Sequence, residues 1–184
     1  MSIRPSSTSL RSHGDVIEET DHGKRVFHLG MILPITGENH SDFFLRAVEA
    51  LSELGIKISA LAEGDMESQK HCFELTKKYP ENFLLLESIP RNRQEILKHA
   101  DAMIFPAVPS RKLLEEVTAL GIVPILPRQK GFQDFDPQEE TGNAFTFEEG
   151  NFWKFLSAIL RASENFKFEY DWENLRKSVK ELKL

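Results

Sequence analysis

The chain has 184 residues, of which 29 are Asp or Glu and 23 are Lys or Arg, so its formal charge is −6, and 40% of the residues are hydrophobic. This length fits one domain with a core of its own, because single cores stop growing at roughly 250 residues. The negative charge argues against nucleic-acid binding, which requires a basic face. No stretch approaches the roughly 18 consecutive apolar residues of a membrane span. A single cysteine, Cys72, excludes an internal disulfide and a zinc site of several cysteines.

The first 25 residues have no apolar periodicity and contain Ser, Gly, Pro and charges of both signs. Such a composition is typical of a flexible segment. Arg4 and Arg11 precede the first acidic residue, Asp15. Basic residues without acids are typical of organelle targeting segments, but this stretch is too short to identify one. We predict a flexible segment over residues 1–25, a folded domain over residues 26–184, and a cytoplasmic protein.

From Val26 onward, short apolar runs alternate with segments of helical periodicity. The runs lie at 26–33, 56–62, 82–87, 100–106, 121–126 and 143–147. The predicted helices lie between them, at about 41–54, 64–79, 94–100 and 112–120, and two more follow the last run. Most of the runs are apolar on both faces, which is typical of a parallel sheet covered by helices on each side. We therefore predict an α/β domain with a doubly wound parallel sheet of about six strands, interrupted by a long polar loop from Pro127 to Gly142.

In such a sheet, ligands bind beyond the carboxyl ends of the strands, where helix N-termini also point. Six basic residues follow the third, fourth and fifth predicted strands: Arg91, Arg93, Arg111, Lys112, Arg128 and Lys130. They indicate a site for a phosphate or nucleotide, although loops also carry charges that bind nothing. Gly64 and Asp65, after the second strand, fit either a phosphate-facing turn or the ordinary end of a strand.

No motif points to a metal, a dinucleotide or a catalytic nucleophile. His71 and Cys72 are neighbours on a predicted helix and point about 100° apart, so they cannot share a metal. No P-loop, GxGxxG or serine elbow follows the first strand. We predict no cofactor and no metal, and we assign no catalytic residue.

Several strings resemble, in the same order, the C-terminal nucleotide-sugar-binding half of bacterial glycogen synthases and plant starch synthases. They are LAEGDMES, KKYPENFLLLES, ILKHADAMIFPAVPS, TALGIVPILPRQKGFQD and ETGNAFTFEEGNFWKFLSAILRA. The likeness runs from about Val26 to Glu173. These enzymes are retaining glycosyltransferases of two Rossmann-like halves, the GT-B fold. The resemblance implies a single Rossmann-like half that binds an ADP-sugar, a UDP-sugar or the free nucleotide. Together with the fold, it predicts nucleotide or phosphate contacts at Thr36, Asn39, Gly64, Asp65, Arg91, Arg111, Lys112, Glu116, Lys130 and Gly131.

The functional positions of the family are altered. The family has an Arg and a Lys after strand one, which stabilise the charge on the departing diphosphate, and Pro34 and Asn39 stand there instead. Losing one such donor costs about 10²–10³ in rate. After strand four, Val108 replaces the first Glu of the wider fold, and Glu116 matches the second, which contacts ribose. The Thr-Gly-Gly turn after strand five reads Gln129–Gly131 here.

The acceptor-binding half of a synthase precedes this kind of domain, and only about 25 residues precede it here. Because a transfer cleft needs two walls to exclude water and position the acceptor, we expect no glucan synthesis by this chain alone. Three hypotheses stay open. The chain is a degenerate domain that binds a nucleotide weakly, one half of a split glycosyltransferase whose partner protein supplies the acceptor domain, or a protein-interaction scaffold without a small ligand.

Overall fold

A parallel sheet of six strands forms the centre of the computed structural model, which describes residues 20–21, 24–32 and 41–184. Its strands are β3 (His28–Met31), β4 (Lys57–Ala62), β5 (Phe83–Glu87), β6 (Ala102–Ile104), β7 (Val123–Pro127) and β8 (Phe145–Phe147). A separate antiparallel pair is formed by β1 (Thr20–Asp21) and β2 (Lys24–Arg25). The helices are α1 (Ser41–Glu53), α2 (Met66–Lys78), α3 (Pro90–His99), α4 (Arg111–Ala119), α5 (Phe152–Phe166) and α6 (Glu169–Lys180).

The strand order is β5-β4-β3-β6-β7-β8, and all neighbours in the sheet are parallel. This arrangement confirms the predicted doubly wound sheet of six strands. The central strands β3, β6 and β7 are buried along their whole length, because helices cover both sides of the sheet.

Two hydrophobic clusters lie on opposite faces of the sheet. On one face, α1, α2, α5 and α6 contribute buried side chains that include Phe44, Leu75, Phe155 and Trp172. On the other face, α3 and α4 pack against the sheet through Ile96, Leu97, Leu114 and Val117. We call these the α1 face and the α4 face. The right-handed connections between parallel strands produce this division. Where the strand order reverses, the connecting helices pass to the other face of the sheet.

The element bounds differ from the predicted ones at α3, which begins at Pro90 rather than near Gln94. Proline suits the first turn of a helix for two reasons. Its fixed φ is helical, and the backbone N–H that it lacks would form no hydrogen bond within the helix at that position. The short pair β1 and β2 lies inside the segment predicted to be flexible. Residues 1–19 lie outside the described part of the chain.

The predicted polar loop between β7 and β8 is anchored to the domain. Phe135 is buried against Phe145, with ring centroids 5.8 Å apart. The Asp134 carboxylate accepts hydrogen bonds from the Thr146 backbone N–H at 2.6 Å and from both terminal nitrogens of Arg161 at 2.8 and 3.1 Å. Within the described residues, no helix is long and apolar enough to cross a membrane.

Candidate functional site

The predicted site lies at the edge of the sheet where the strands end and α2, α3, α4 and α5 begin, here called the carboxyl edge. Strands β3, β4 and β5 follow one another from the centre of the sheet to one side, and β6, β7 and β8 follow one another to the other side. The strand order therefore reverses between β3 and β6, and a crevice opens at such a reversal. The residues predicted after β3, Thr36 and Asn39, lie outside the described residues, as does Pro34.

Gly64 and Asp65 form the turn that leads from β4 into α2. The Asp65 carboxylate caps α2 by accepting hydrogen bonds from the Ser68 N–H at 2.8 Å and the Ser68 hydroxyl at 2.9 Å. These bonds lower the pKa of Asp65. The Gly64 carbonyl accepts a hydrogen bond from Gln69 Nε2 at 2.8 Å. The contacts seen here are those of a helix cap, so a contact of this turn with phosphate stays a prediction.

The start of α4 carries two of the predicted cations. Ser110 caps the helix, because its hydroxyl accepts a hydrogen bond from the Leu113 N–H at 3.4 Å. Arg111 and Lys112 follow in the first turn and are exposed. Arg111 donates to the Glu115 carboxylate at 2.8 Å and to the backbone oxygen of Leu184. The free amides and partial positive charge of this helix end therefore coincide with two full positive charges.

The turn after β7 lies close to the start of α4. Lys130 and Gly131 are exposed, and Gly131 has a φ of +93°. A methyl group built on Gly131 would lie 3.9 Å from the Leu184 side chain, and Arg111 donates to the Leu184 backbone oxygen. Leu184 thus accepts a hydrogen bond from Arg111 and lies near Gly131, which places Arg111 and the Lys130–Gly131 turn in one neighbourhood.

Arg93 and Glu116 form a two-pronged ion pair between α3 and α4. Both terminal nitrogens of Arg93 donate to the two carboxylate oxygens of Glu116, and each side chain is 35% exposed. The hydrogen bonds from Arg93 lower the pKa of Glu116, with smaller contributions from the charges of Arg93 and Lys112. Arg91, two residues earlier on α3, is exposed and pairs with no described residue. The sequence did not reveal the Arg93–Glu116 pair, because it joins two helices.

The structure therefore groups part of the predicted set. Arg111 and Lys112 follow β6, Lys130 and Gly131 follow the neighbouring strand β7, and Glu116 lies one turn further along α4, where it pairs with Arg93. Among the described residues, no hydrogen bond or ion pair joins the Gly64–Asp65 turn to this group. Such a group of cations beside a helix N-terminus can bind an anion such as a diphosphate.

A buried polar cluster at the opposite edge of the sheet was not predicted. His28 Nε2 lies 2.8 Å from the Ser59 hydroxyl, and the His28 backbone N–H donates to the Asp101 carboxylate at 2.9 Å. Burial lowers the pKa of His28 to about 4 and raises the pKa of Asp101 to about 6. His28 and Ser59 are almost completely buried, so this histidine–serine contact cannot reach a substrate. The cluster belongs to the core.

Cys72 and metal ligation offer no alternative site. Burial raises the pKa of the Cys72 thiol to about 12, so the thiolate that a nucleophile requires is not formed near neutral pH. Within the described residues, no group of three or more His, Cys, Asp or Glu side chains could hold a metal ion.

Sequence comparisons link the chain to bacterial glycogen synthases. The glycogen synthase of Trichodesmium erythraeum is 24% identical over 163 residues, which is 84% of this chain and 35% of the relative. The glycogen synthase of Desulfitobacterium hafniense is 25% identical over 163 residues, 82% of this chain and 34% of the relative. The chain thus spans about a third of the length of these relatives. No family model matches the chain.

Solved structures share the fold. The catalytic domain of starch synthase IV from Arabidopsis thaliana, bound to ADP and acarbose, superposes with a TM-score of 0.75 at 19% identity, over 89% of this chain and 36% of that chain. Sucrose-phosphate synthase from Thermosynechococcus elongatus superposes with a TM-score of 0.58 at 14% identity, over 85% of this chain and 41% of that chain. The predicted resemblance is confirmed: the chain is a homologue of the glycogen synthases over about four fifths of its length, and its fold is the Rossmann-like α/β fold of a GT-B glycosyltransferase domain, consistent with the C-terminal one.

Proposed function

We propose that this chain is a glycogen-synthase-like domain that binds a nucleoside diphosphate, free or attached to a sugar, weakly at the carboxyl edge, and that it does not transfer glucose by itself. The observation that carries the proposal is the convergence of Arg111 and the Lys130–Gly131 turn beside the N-terminus of α4. The starch synthase structure bound to ADP has the same fold, which supports the choice of ligand.

The expected affinity follows from the number of contacts. A charge-assisted hydrogen bond contributes roughly 1.5–3 kcal/mol. Two or three such bonds, after the cost of association, correspond to a dissociation constant in the millimolar to high-micromolar range. Arg111 must also exchange the Leu184 oxygen for a phosphate oxygen, which weakens binding further.

Calorimetric titration with ADP, UDP, ADP-glucose, UDP-glucose and pyrophosphate tests the proposal. We expect weak binding that added salt weakens, because exposed charges are screened, and that Arg111→Ala abolishes. Lys167→Ala is the matched control, since Lys167 is an exposed cation in an ion pair at the far end of α5. If neither nucleotides nor pyrophosphate bind at several millimolar, the scaffold without a small ligand becomes the better hypothesis.

A second candidate function is one half of a split glycosyltransferase, and a specific observation favours it. Met66, Ile89 and Val108 follow three different strands at the carboxyl edge, and they are 89%, 43% and 52% exposed. Exposed apolar side chains along the edge of a predicted cleft suit contact with a second protein. Mixing the chain with the isolated acceptor half of a bacterial glycogen synthase tests this candidate: sedimentation should show a complex that Val108→Asp weakens, and the absence of any complex at tens of micromolar would exclude it.

A further inference from the structure

Trp153 is the most exposed large aromatic side chain at the carboxyl edge among the described residues. It stands in the first turn of α5 and is 72% exposed, whereas Phe155, two residues later, is fully buried. Tryptophan carries a large apolar area that a fold normally covers. An indole on a rigid helix that stays in solvent therefore offers a preformed flat surface to a ligand.

Phe152, which contacts Trp153, has a cation over its ring. The Phe152 ring lies 5.2 Å from the Trp153 ring, and the Arg46 guanidinium lies 4.0 Å from the centre of the Phe152 ring. Phe152 is itself fixed by an edge contact with Phe43 at 5.8 Å. Arg46 belongs to α1, so two helices position this group. We call Trp153, Phe152 and Arg46 the Trp153 platform.

The surroundings of the Trp153 platform are polar. Glu149, Lys154 and Ser157 are exposed within about one helical turn of the indole. A protein-binding hot spot is typically ringed by contacts that exclude water. A sugar ring binds in a different way: its C–H face packs on an aromatic ring, and its hydroxyl groups form hydrogen bonds with polar and charged side chains around that ring. The combination of one indole, a fixed guanidinium and a polar rim fits a carbohydrate better than a protein.

We propose that the Trp153 platform binds an α-linked glucan chain, at a site separate from the cations beside the N-terminus of α4. This inference rests on the proposed function, which supplies the class of polymer: the relatives are glycogen synthases, and the starch synthase neighbour is bound to acarbose. The Trp153 platform lies on the α1 face, whereas Arg111, Lys112 and Glu116 belong to α4 on the other face. We therefore expect that a glucan and a nucleotide bind to the same molecule without competing.

Intrinsic fluorescence gives a direct measurement, because the chain has two tryptophans and Trp172 is fully buried. Iodide quenching of the whole chain thus reports on Trp153. We expect maltoheptaose to shift the emission to shorter wavelength and to protect Trp153 from iodide. Retardation of the chain in gels that contain glycogen gives the affinity independently of fluorescence.

Variants decide whether Trp153 itself binds the glucan. Trp153→Ala should weaken retardation by about fivefold or more, the loss expected for one aromatic stacking contact, and Trp153→Phe should recover part of it. Arg46→Ala should weaken it less. The matched control is Tyr170→Ala, which removes an aromatic side chain that is 73% exposed at the start of α6 and should change nothing. Emission from Trp172 checks that each variant is folded.

The two proposals fail in different ways. If Trp153→Ala binds ADP normally but loses glucan, both stand. If the chain binds ADP and glycogen does not retard it, or retards Trp153→Ala equally, the Trp153 platform is not a glucan site while the nucleotide proposal survives. Protection of Trp153 that rises with protein concentration alone would show that a second copy covers the indole, and would overturn the glucan proposal.

Discussion

At the scale of single residues, the ion pair between Arg93 and Glu116 carries the clearest functional consequence. A half-exposed pair contributes about 1 kcal/mol or less to stability, because water screens the charges. The two-pronged geometry instead fixes the orientation of the Glu116 carboxylate, the group that the resemblance assigns to ribose. Glu116 should therefore be needed for recognition of the nucleoside and have little effect on folding.

We expect Glu116→Ala to weaken ADP binding severalfold and to leave pyrophosphate binding unchanged, since pyrophosphate has no ribose. The free energy of unfolding should change by no more than about 1 kcal/mol. Titration calorimetry with the two ligands measures the difference. Glu74→Ala, which removes an exposed carboxylate paired with Lys77 on α2, is the control. Equal weakening of both ligands would mean that Glu116 acts through the general charge of the site.

The buried residues His28 and Asp101 make opposite contributions to the pH dependence of stability. The pKa of His28 is lowered to about 4 from 6.5, so its contribution is complete above pH 6.5 and is lost as the pH falls toward 4. The pKa of Asp101 is raised to about 6 from 3.8, so its contribution is complete below pH 3.8 and is lost as the pH rises through 6. The two effects largely cancel in the wild-type chain between pH 4 and 6.

Replacing Asp101 separates these effects. Because each pKa unit corresponds to about 1.4 kcal/mol, Asp101→Asn should stabilise the fold by about 1–3 kcal/mol at pH 7, and the gain should vanish near pH 4. The asparagine can still accept the His28 backbone hydrogen bond. Urea unfolding at both pH values measures the effect. A loss of stability at pH 7 would show that the Arg25–Asp101 ion pair, at 3.4 Å, outweighs the cost of burying the carboxylate.

At the scale of elements, the connection between β7 and β8 shows how a polar loop becomes fixed. Besides the Asp134 bonds, the loop is held by an antiparallel bridge between Asp136 and Thr141 and a parallel bridge between Asp134 and Ala144. Gly142 lets the chain return along itself, with a φ of +112°, and a methyl group there would lie 2.6 Å from the Asp134 carbonyl oxygen. Both the backbone angle and the contact require glycine.

Two alanine substitutions distinguish these requirements. Gly150→Ala introduces only backbone strain, because Gly150 has a φ of +74° and no atom within 4 Å of the new methyl, and it should cost about 1–2 kcal/mol. Gly142→Ala adds a clash with the backbone of Asp134 and Phe135 and should cost clearly more, about 3 kcal/mol. Thermal unfolding of both variants measures the difference, and equal losses would mean that the loop moves away at little cost.

At the scale of the whole molecule, the described helices pack on a single parallel sheet of six strands. The sheet, its helices and the basic group at the carboxyl edge correspond to a third of the length of the glycogen synthase relatives. Transfer of a sugar requires an acceptor held against the donor and protected from water. The described residues supply the cations of the proposed diphosphate site and no opposing surface for an acceptor.

We therefore predict that the isolated chain adds no glucose to glycogen or to maltooligosaccharides from ADP-glucose or UDP-glucose. The reasons are that the chain spans about a third of the glycogen synthase relatives, and that Pro34 and Asn39 stand at the positions of the two family cations. Incorporation of labelled glucose over hours, against a blank without protein, measures it. Incorporation that disappears in the double variant Arg111→Ala, Lys112→Ala would establish activity and contradict the prediction.

The sequence by itself determined the α/β class, the number of strands in the central sheet and the positions of most helices. Each of these depends on local pattern: a run such as Ile122–Leu126 is apolar on both faces, and the stripe of Trp172, Leu175 and Val179 repeats at helical spacing. The order of the strings also identified the family resemblance. The predicted site residues themselves remain predictions.

Only the tertiary structure decided which distant residues meet. The pairs Arg93–Glu116, Asp134–Arg161 and His28–Asp101 join residues 23, 27 and 73 positions apart, and no local pattern marks them. The structure also shows that Asp65 caps the N-terminus of α2, and that Trp153 is exposed whereas Trp172 is buried. The physical reason is the same in each case: periodicity reports which side of an element faces the core, whereas pairing and exposure depend on what the rest of the chain places opposite that side.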